Sequence, residues 1–184
     1  MNNRTAPYKN HFKKFIYDLF YPSLLGSMIF QLISEIFNCK GLIPIINQTL
    51  ILVLYVLDWF FINFYLLKEV NEKKETNSLF HLLDFLIPLF YTLSFFSVTY
   101  SKSWIPCLFL MTVFIIISYY IWKMKKVRIY FILMSIIALI SFVLNLFKII
   151  DNIIIMCILL FVFYLVIEIQ SYKEKKVEDQ YNTA

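Results

Sequence analysis

The chain has 184 residues, of which 61% are hydrophobic and only 16% charged, with a net charge of +5. A water-soluble globule of this composition would have to expose much of its apolar surface, which argues against a soluble enzyme or nucleic-acid-binding module and makes lipid the expected solvent. Two glycines, and apolar runs without the alternation of barrel strands, point to helices as the spanning elements.

Residues 1–14 form a basic segment carrying Arg4, Lys9, Lys13 and Lys14. The first apolar span, 15–37, is too long for the core of a cleaved signal peptide and is followed by no small-residue cleavage pattern, so it reads as a retained helix. The second span, 47–67, carries Asp58 near its middle. An aspartate at the bilayer centre costs about 2.5–3.5 kcal/mol on insertion scales, so it is expected to face protein or water. Further spans are expected at 79–100, 104–122, 129–146 and 153–169, and a charged tail at 171–184.

Taken in chain order, the termini and connections hold four, one, three, one, four, one and three Lys or Arg residues. Alternation of that kind is the positive-inside pattern, and it places both termini in the cytoplasm. The expected architecture is therefore an all-α integral membrane protein, a six-transmembrane-helix bundle over residues 15–170, in a bacterial cytoplasmic (inner) membrane. Tyr100, Trp104, Tyr119, Tyr120 and Trp122 fall near expected interfaces, where amphipathic rings belong. No connection exceeds about a dozen residues, so any ligand has to meet the helices or the short loops.

At about 100° per residue, Asn47, Ile51, Asp58 and Tyr65 share one face of the second span, with Tyr55 beside it. His81, Asp84, Pro88, Tyr91 and Ser94 form a stripe on the third, with His81 and Asp84 close enough to pair. The first span carries Ser23, Ser27, Gln31, Ser34 and Glu35, and the Ser23/Ser27 spacing permits close helix approach. Glu35 and Lys148 read as rim charges. The fourth and sixth spans are almost wholly apolar along their centres, which assigns them to lipid or to a neighbouring subunit, and assigns the interior to the first three spans with the Ser141–Asn145–Lys148 side of the fifth.

Cys39, Cys107 and Cys157 form no CxxC or zinc spacing and read as apolar thiols, with a Cys39–Cys107 disulfide as the alternative. No HExxH motif, nucleophile elbow or intramembrane aspartate pair occurs, so no catalytic residue, metal or cofactor is expected, nor any nucleic-acid partner. A carboxylate in the membrane can exchange a proton or coordinate a cation. The expected function is a small oligomeric channel, pore or transport subunit centred on Asp58, with Asp84, Gln31, Tyr65, His81 and Ser27 around the polar path. A homo-oligomer or partner membrane subunit is expected because six helices of this size leave little interior volume. The alternative is an assembly subunit whose polar stripes only bind partner helices.

Overall fold

In the computed structural model, which describes residues 15–38, 41–61, 78–100, 104–123, 128–147 and 153–166, every regular element is a helix. A π-helical turn, Phe15–Phe20, runs directly into α1, Tyr21–Phe37. Then follow α2 (Leu42–Phe61), α3 (Ser78–Tyr100), α4 (Trp104–Lys123), α5 (Arg128–Leu146) and α6 (Ile153–Val166). The starts of α3 to α6 fall within one residue of the apolar spans read from the sequence.

α2 departs from that reading, beginning at Leu42 where the sequence suggested Asn47. Pro44 lies in its first turn, where a missing N–H breaks no intrahelical bond, so the helix extends back through Leu42–Ile46. Asp58 then stands about 24 Å along the axis from Leu42, at about 1.5 Å per residue.

Each helix buries a line set by its own periodicity. On α1 the line is Tyr21, Met28 and Glu35, seven residues apart. On α2 it is Gln48, Ile51, Tyr55 and Asp58, with Asn47 and Leu54 alongside. α3 buries Ile87, Tyr91, Ser94 and Phe95; α6 buries Ile153, Met156, Leu160 and Phe163, with Cys157 and Tyr164 one position on. Spacings of three, four and seven keep such residues on one side of a 3.6-residue helix.

α2 packs on α1 and α3, α3 packs on α1 and α4, and α4 packs on α5. Across α4 and α5, Ser118 and Ser135 hydroxyls lie 3.3 Å apart and Asn145 Nδ2 donates to Cys107 Sγ at 3.1 Å, so these helices run antiparallel. Cys107 and Cys157 are buried thiols that form no disulfide; Cys39 and Lys148 lie outside the described residues. Ser94 Oγ donates to the Pro106 carbonyl at 3.0 Å, pinning α3 to the start of α4.

Contrary to the sequence reading, α4 and α6 are not peripheral. α4 buries a broad face, Cys107, Leu110, Val113, Phe114 and Ile117, widened on its two edges by Met111 and Ile116. α6 folds back onto it, with the Phe114 and Phe163 ring centroids 4.7 Å apart. A helix apolar all round satisfies a lipid exterior and a packed interior equally well, so composition could not separate the two. The outer surface stays apolar as well: Phe30, Phe37, Leu42 and Ile43 are all more than 70% exposed. Two stretches, Asp18–Phe37 and Leu42–Phe60, are long and apolar enough to cross a membrane, and the described parts of the later helices contribute shorter apolar stretches.

Phe114→Ala is expected to remove about 3–5 kcal/mol of stability by opening a cavity at the α4–α6 contact. Phe30→Ala, on the exposed side of α1, should stay within about 0.5 kcal/mol. Denaturant unfolding of the purified protein in detergent measures both.

Candidate functional site: a tyrosine cage around Asp58

Asp58 is 1% exposed and lies where four helices meet. Tyr21 of α1 donates its hydroxyl to Asp58 Oδ2 at 2.9 Å, and Tyr164 of α6 donates to Oδ1. The hydroxyls of Tyr164 and Tyr91 of α3 are 3.0 Å apart. Because the Tyr164 hydrogen is directed at the carboxylate, its oxygen accepts from Tyr91, giving a hydroxyl chain from Tyr91 through Tyr164 to Asp58. Tyr55 completes the cage. Its hydroxyl donates to the Tyr21 backbone carbonyl at 2.8 Å, and its ring lies 5.3 Å from that of Tyr21 and 6.0 Å, edge-on, from that of Tyr91.

A buried carboxylate is tolerated only where hydrogen bonds replace its hydration, and two phenolic donors do so from two different helices. The aligned hydroxyls of Tyr91 and Tyr164 also form a path along which a proton can pass to the carboxylate.

A second polar layer lies near the other ends of α1, α2 and α3, about 15 Å from Asp58 along α2. Glu35 is 1% exposed. Its Oε1 accepts from Gln31 Nε2 at 2.7 Å and from Thr99 Oγ1 at 2.8 Å. Gln48 Nε2 in turn donates to Thr99 Oγ1 at 3.0 Å and to the Phe95 carbonyl at 3.5 Å. The reading of Glu35 as a rim charge is thus overturned, since three helices enclose it. Between the layers lie Met28 and Ile51, both fully buried, and Thr92, whose hydroxyl bonds the Pro88 carbonyl at 2.8 Å.

The residues singled out from sequence separate into distinct groups. Asp58 sits in the first layer, while Gln31 is part-buried in the second, bonded to Glu35 rather than near Asp58. Ser27 faces outward and bonds the Leu24 carbonyl at 2.7 Å, as Ser23 bonds that of Leu19. The reason is geometric: residues four apart advance by about 40° around a helix, so a stripe starting outside at Ser23 reaches the interior only at Glu35. His81 and Asp84 belong to the first turns of α3, but their side chains lie outside the described residues, as does Tyr65 entirely. Among the described residues, no three His, Cys, Asp or Glu side chains converge as a metal-ligand set.

Tyr21 and Tyr164 were not singled out from the sequence. Tyr21 had a legible signal, the seven-residue line with Met28 and Glu35. Tyr164 had a fainter one, the same spacing from Cys157 in an otherwise apolar helix. Compared with protein families, curated proteins and solved structures, the chain finds no match.

Tyr21→Phe leaves Asp58 Oδ2 without this donor in a buried setting and is expected to lower stability by about 1–3 kcal/mol. Ser27→Ala, at an exposed hydroxyl of the same helix, should change it by less than about 0.5 kcal/mol. Thermal melts of the two variants side by side make the comparison.

Proposed function

We propose that this protein is a six-span membrane protein, with both termini cytoplasmic, that acts as an oligomeric transport or pore subunit carrying a proton or small cation past Asp58. The observation that carries this reading is the buried carboxylate at the end of a hydroxyl chain, Tyr91 to Tyr164 to Asp58, in a bundle whose outside is apolar. Intramembrane acids default to function because their burial is otherwise unfavourable. The alternating basic loops and the 61% hydrophobic composition support the lipid setting. On this topology, the start of α2 at Leu42 supports a position for Asp58 nearer the cytoplasmic side than the midplane expected from sequence. Glu35 lies towards the outer side, so the two carboxylates mark the two ends of one polar seam through α1, α2 and α3.

An oligomer is supported by α1, where Ser23, Gly26 and Ser27 face outward and a methyl group at Gly26 would meet nothing within 4 Å. Small residues on an exposed face allow close approach of another helix. The assembly reading also has an observation in its favour: both Asp58 oxygens accept hydrogen bonds within one chain, as a purely structural lock requires.

Asp58→Asn separates the two readings, since it keeps the shape and removes the charge. Under the transport reading, proteoliposomes of wild type show proton or cation flux, and the variant loses at least about tenfold of it, equivalent to about 1.4 kcal/mol of barrier, while still folding. Absent wild-type flux, or equal flux in the variant, contradicts transport through Asp58. Disassembly of a native-gel complex in Asp58→Leu with the monomer still folded favours the assembly role.

A further inference from the structure

Tyr91 stands apart from the other tyrosines of the cage. Tyr21 and Tyr164 donate directly to the Asp58 carboxylate, and Tyr55 spends its hydroxyl on the Tyr21 carbonyl. The Tyr91 hydroxyl reaches none of these acceptors; it meets the Tyr164 hydroxyl at 3.0 Å. Holding Asp58 therefore does not require it, and the packing of its ring, fully buried and edge-on to Tyr55, would be served equally by phenylalanine. What the hydroxyl adds is a second link in a chain of oxygens, each within the roughly 2.6–3.2 Å reach of proton transfer.

From this we infer that the species carried past Asp58 is the proton and not a metal cation, and that Tyr91 is the relay residue through which it reaches the carboxylate. The inference rests on the transport reading above and names its substrate. Both relay groups are hydroxyls, which donate and accept at once, as a proton chain needs. A proton from water arriving at the Tyr91 oxygen forms an O–H bond there as the original Tyr91 O–H bond breaks towards Tyr164. The Tyr164 hydrogen passes in turn to Asp58 Oδ1, leaving two neutral tyrosines and a carboxylic acid, with one proton taken up and no electron moved. The relay asks for no uncompensated charge at Asp58, which also interacts with further groups. A metal cation is served poorly by the same arrangement. It binds converging oxygen lone pairs, whereas the Tyr21 and Tyr164 hydroxyls present their hydrogens to the carboxylate and would both have to turn away.

The test uses the full chain in liposomes, with a pH-sensitive dye reporting proton entry and sodium and potassium uptake measured in parallel. Wild type is expected to pass protons under an imposed pH gradient, more slowly in heavy water, and at a rate unchanged when choline replaces sodium and potassium. Tyr91→Phe, shown to be folded by its melting temperature, should lose at least about tenfold of the proton flux although both hydrogen bonds to Asp58 are kept. Asp58-dependent proton flux that is undiminished in folded Tyr91→Phe, or equally fast in heavy water, overturns the relay and leaves the transport reading standing. Asp58-dependent sodium or potassium flux without proton flux does the same. Flux that is absent, or independent of Asp58, overturns both. The comparison of ions is made on wild type, so it decides the matter even if Tyr91→Phe does not fold.

Discussion

The carboxylate of Asp58 is the constraint around which the bundle is arranged. A buried acid on α2 is unfavourable unless donors reach it, and those donors come from α1 through Tyr21 and from α6 through Tyr164. The two tyrosines are separated by almost the whole described chain, so satisfying one side chain fixes the position of the last helix against the first two. Tyr91 adds α3 by bonding to Tyr164, and Tyr55 locks α1 to α2 through a backbone carbonyl. Hydrogen bonds of this kind are directional, whereas apolar packing in a membrane setting distinguishes inside from outside weakly. The polar contacts therefore specify which faces meet, and packing between rings such as Phe114 and Phe163 supplies much of the cohesion.

The second layer extends the same logic to the opposite end. Glu35, Gln31, Thr99 and Gln48 tie α1, α2 and α3 together by hydrogen bonds, while an apolar middle of Met28 and Ile51 separates this layer from the tyrosine cage. The two layers differ in character. Around Asp58 the hydroxyl donors match the acceptors they face; in the second layer the Gln48 amide oxygen has no hydrogen-bond partner among the described residues. The first arrangement holds α1, α2, α3 and α6 together through donated hydroxyls. Both layers draw on α1, α2 and α3, and α6 reaches the tyrosine cage through Tyr164.

Much of this was legible in the sequence. The starts of α3 to α6 followed from runs of apolar residues bounded by charged or polar ones, and the inward face of α2 followed from the spacing of Asn47, Ile51 and Asp58. The inward stripe on α3 through Pro88, Tyr91 and Ser94 was legible in the same way. What failed had a physical cause in each case. The serines of α1 repeat every four residues and so wind around the helix, carrying Ser23 and Ser27 outward; the seven-residue line of Tyr21, Met28 and Glu35 is the one that stays inside. α6 presents a single polar atom to the cage, the Tyr164 hydroxyl, and an isolated tyrosine in an apolar helix reads equally well as lipid-facing. Glu35 looked like a rim charge because its partner Thr99, and the Gln48 amide that bonds Thr99 in turn, come from other helices, and a single chain order does not reveal tertiary neighbours.

The central claim is that Tyr164 acts through Asp58, joining the end of the chain to its beginning. A double-mutant cycle on the folded protein tests it most directly, with Tyr164→Phe, Asp58→Asn and the combined variant compared by equilibrium unfolding in detergent. The account predicts a coupling energy of about 1 kcal/mol or more between the two positions, because each substitution removes the same hydrogen bond. Additive effects, with coupling below about 0.3 kcal/mol, would contradict it and leave Asp58 and Tyr164 as independent residues.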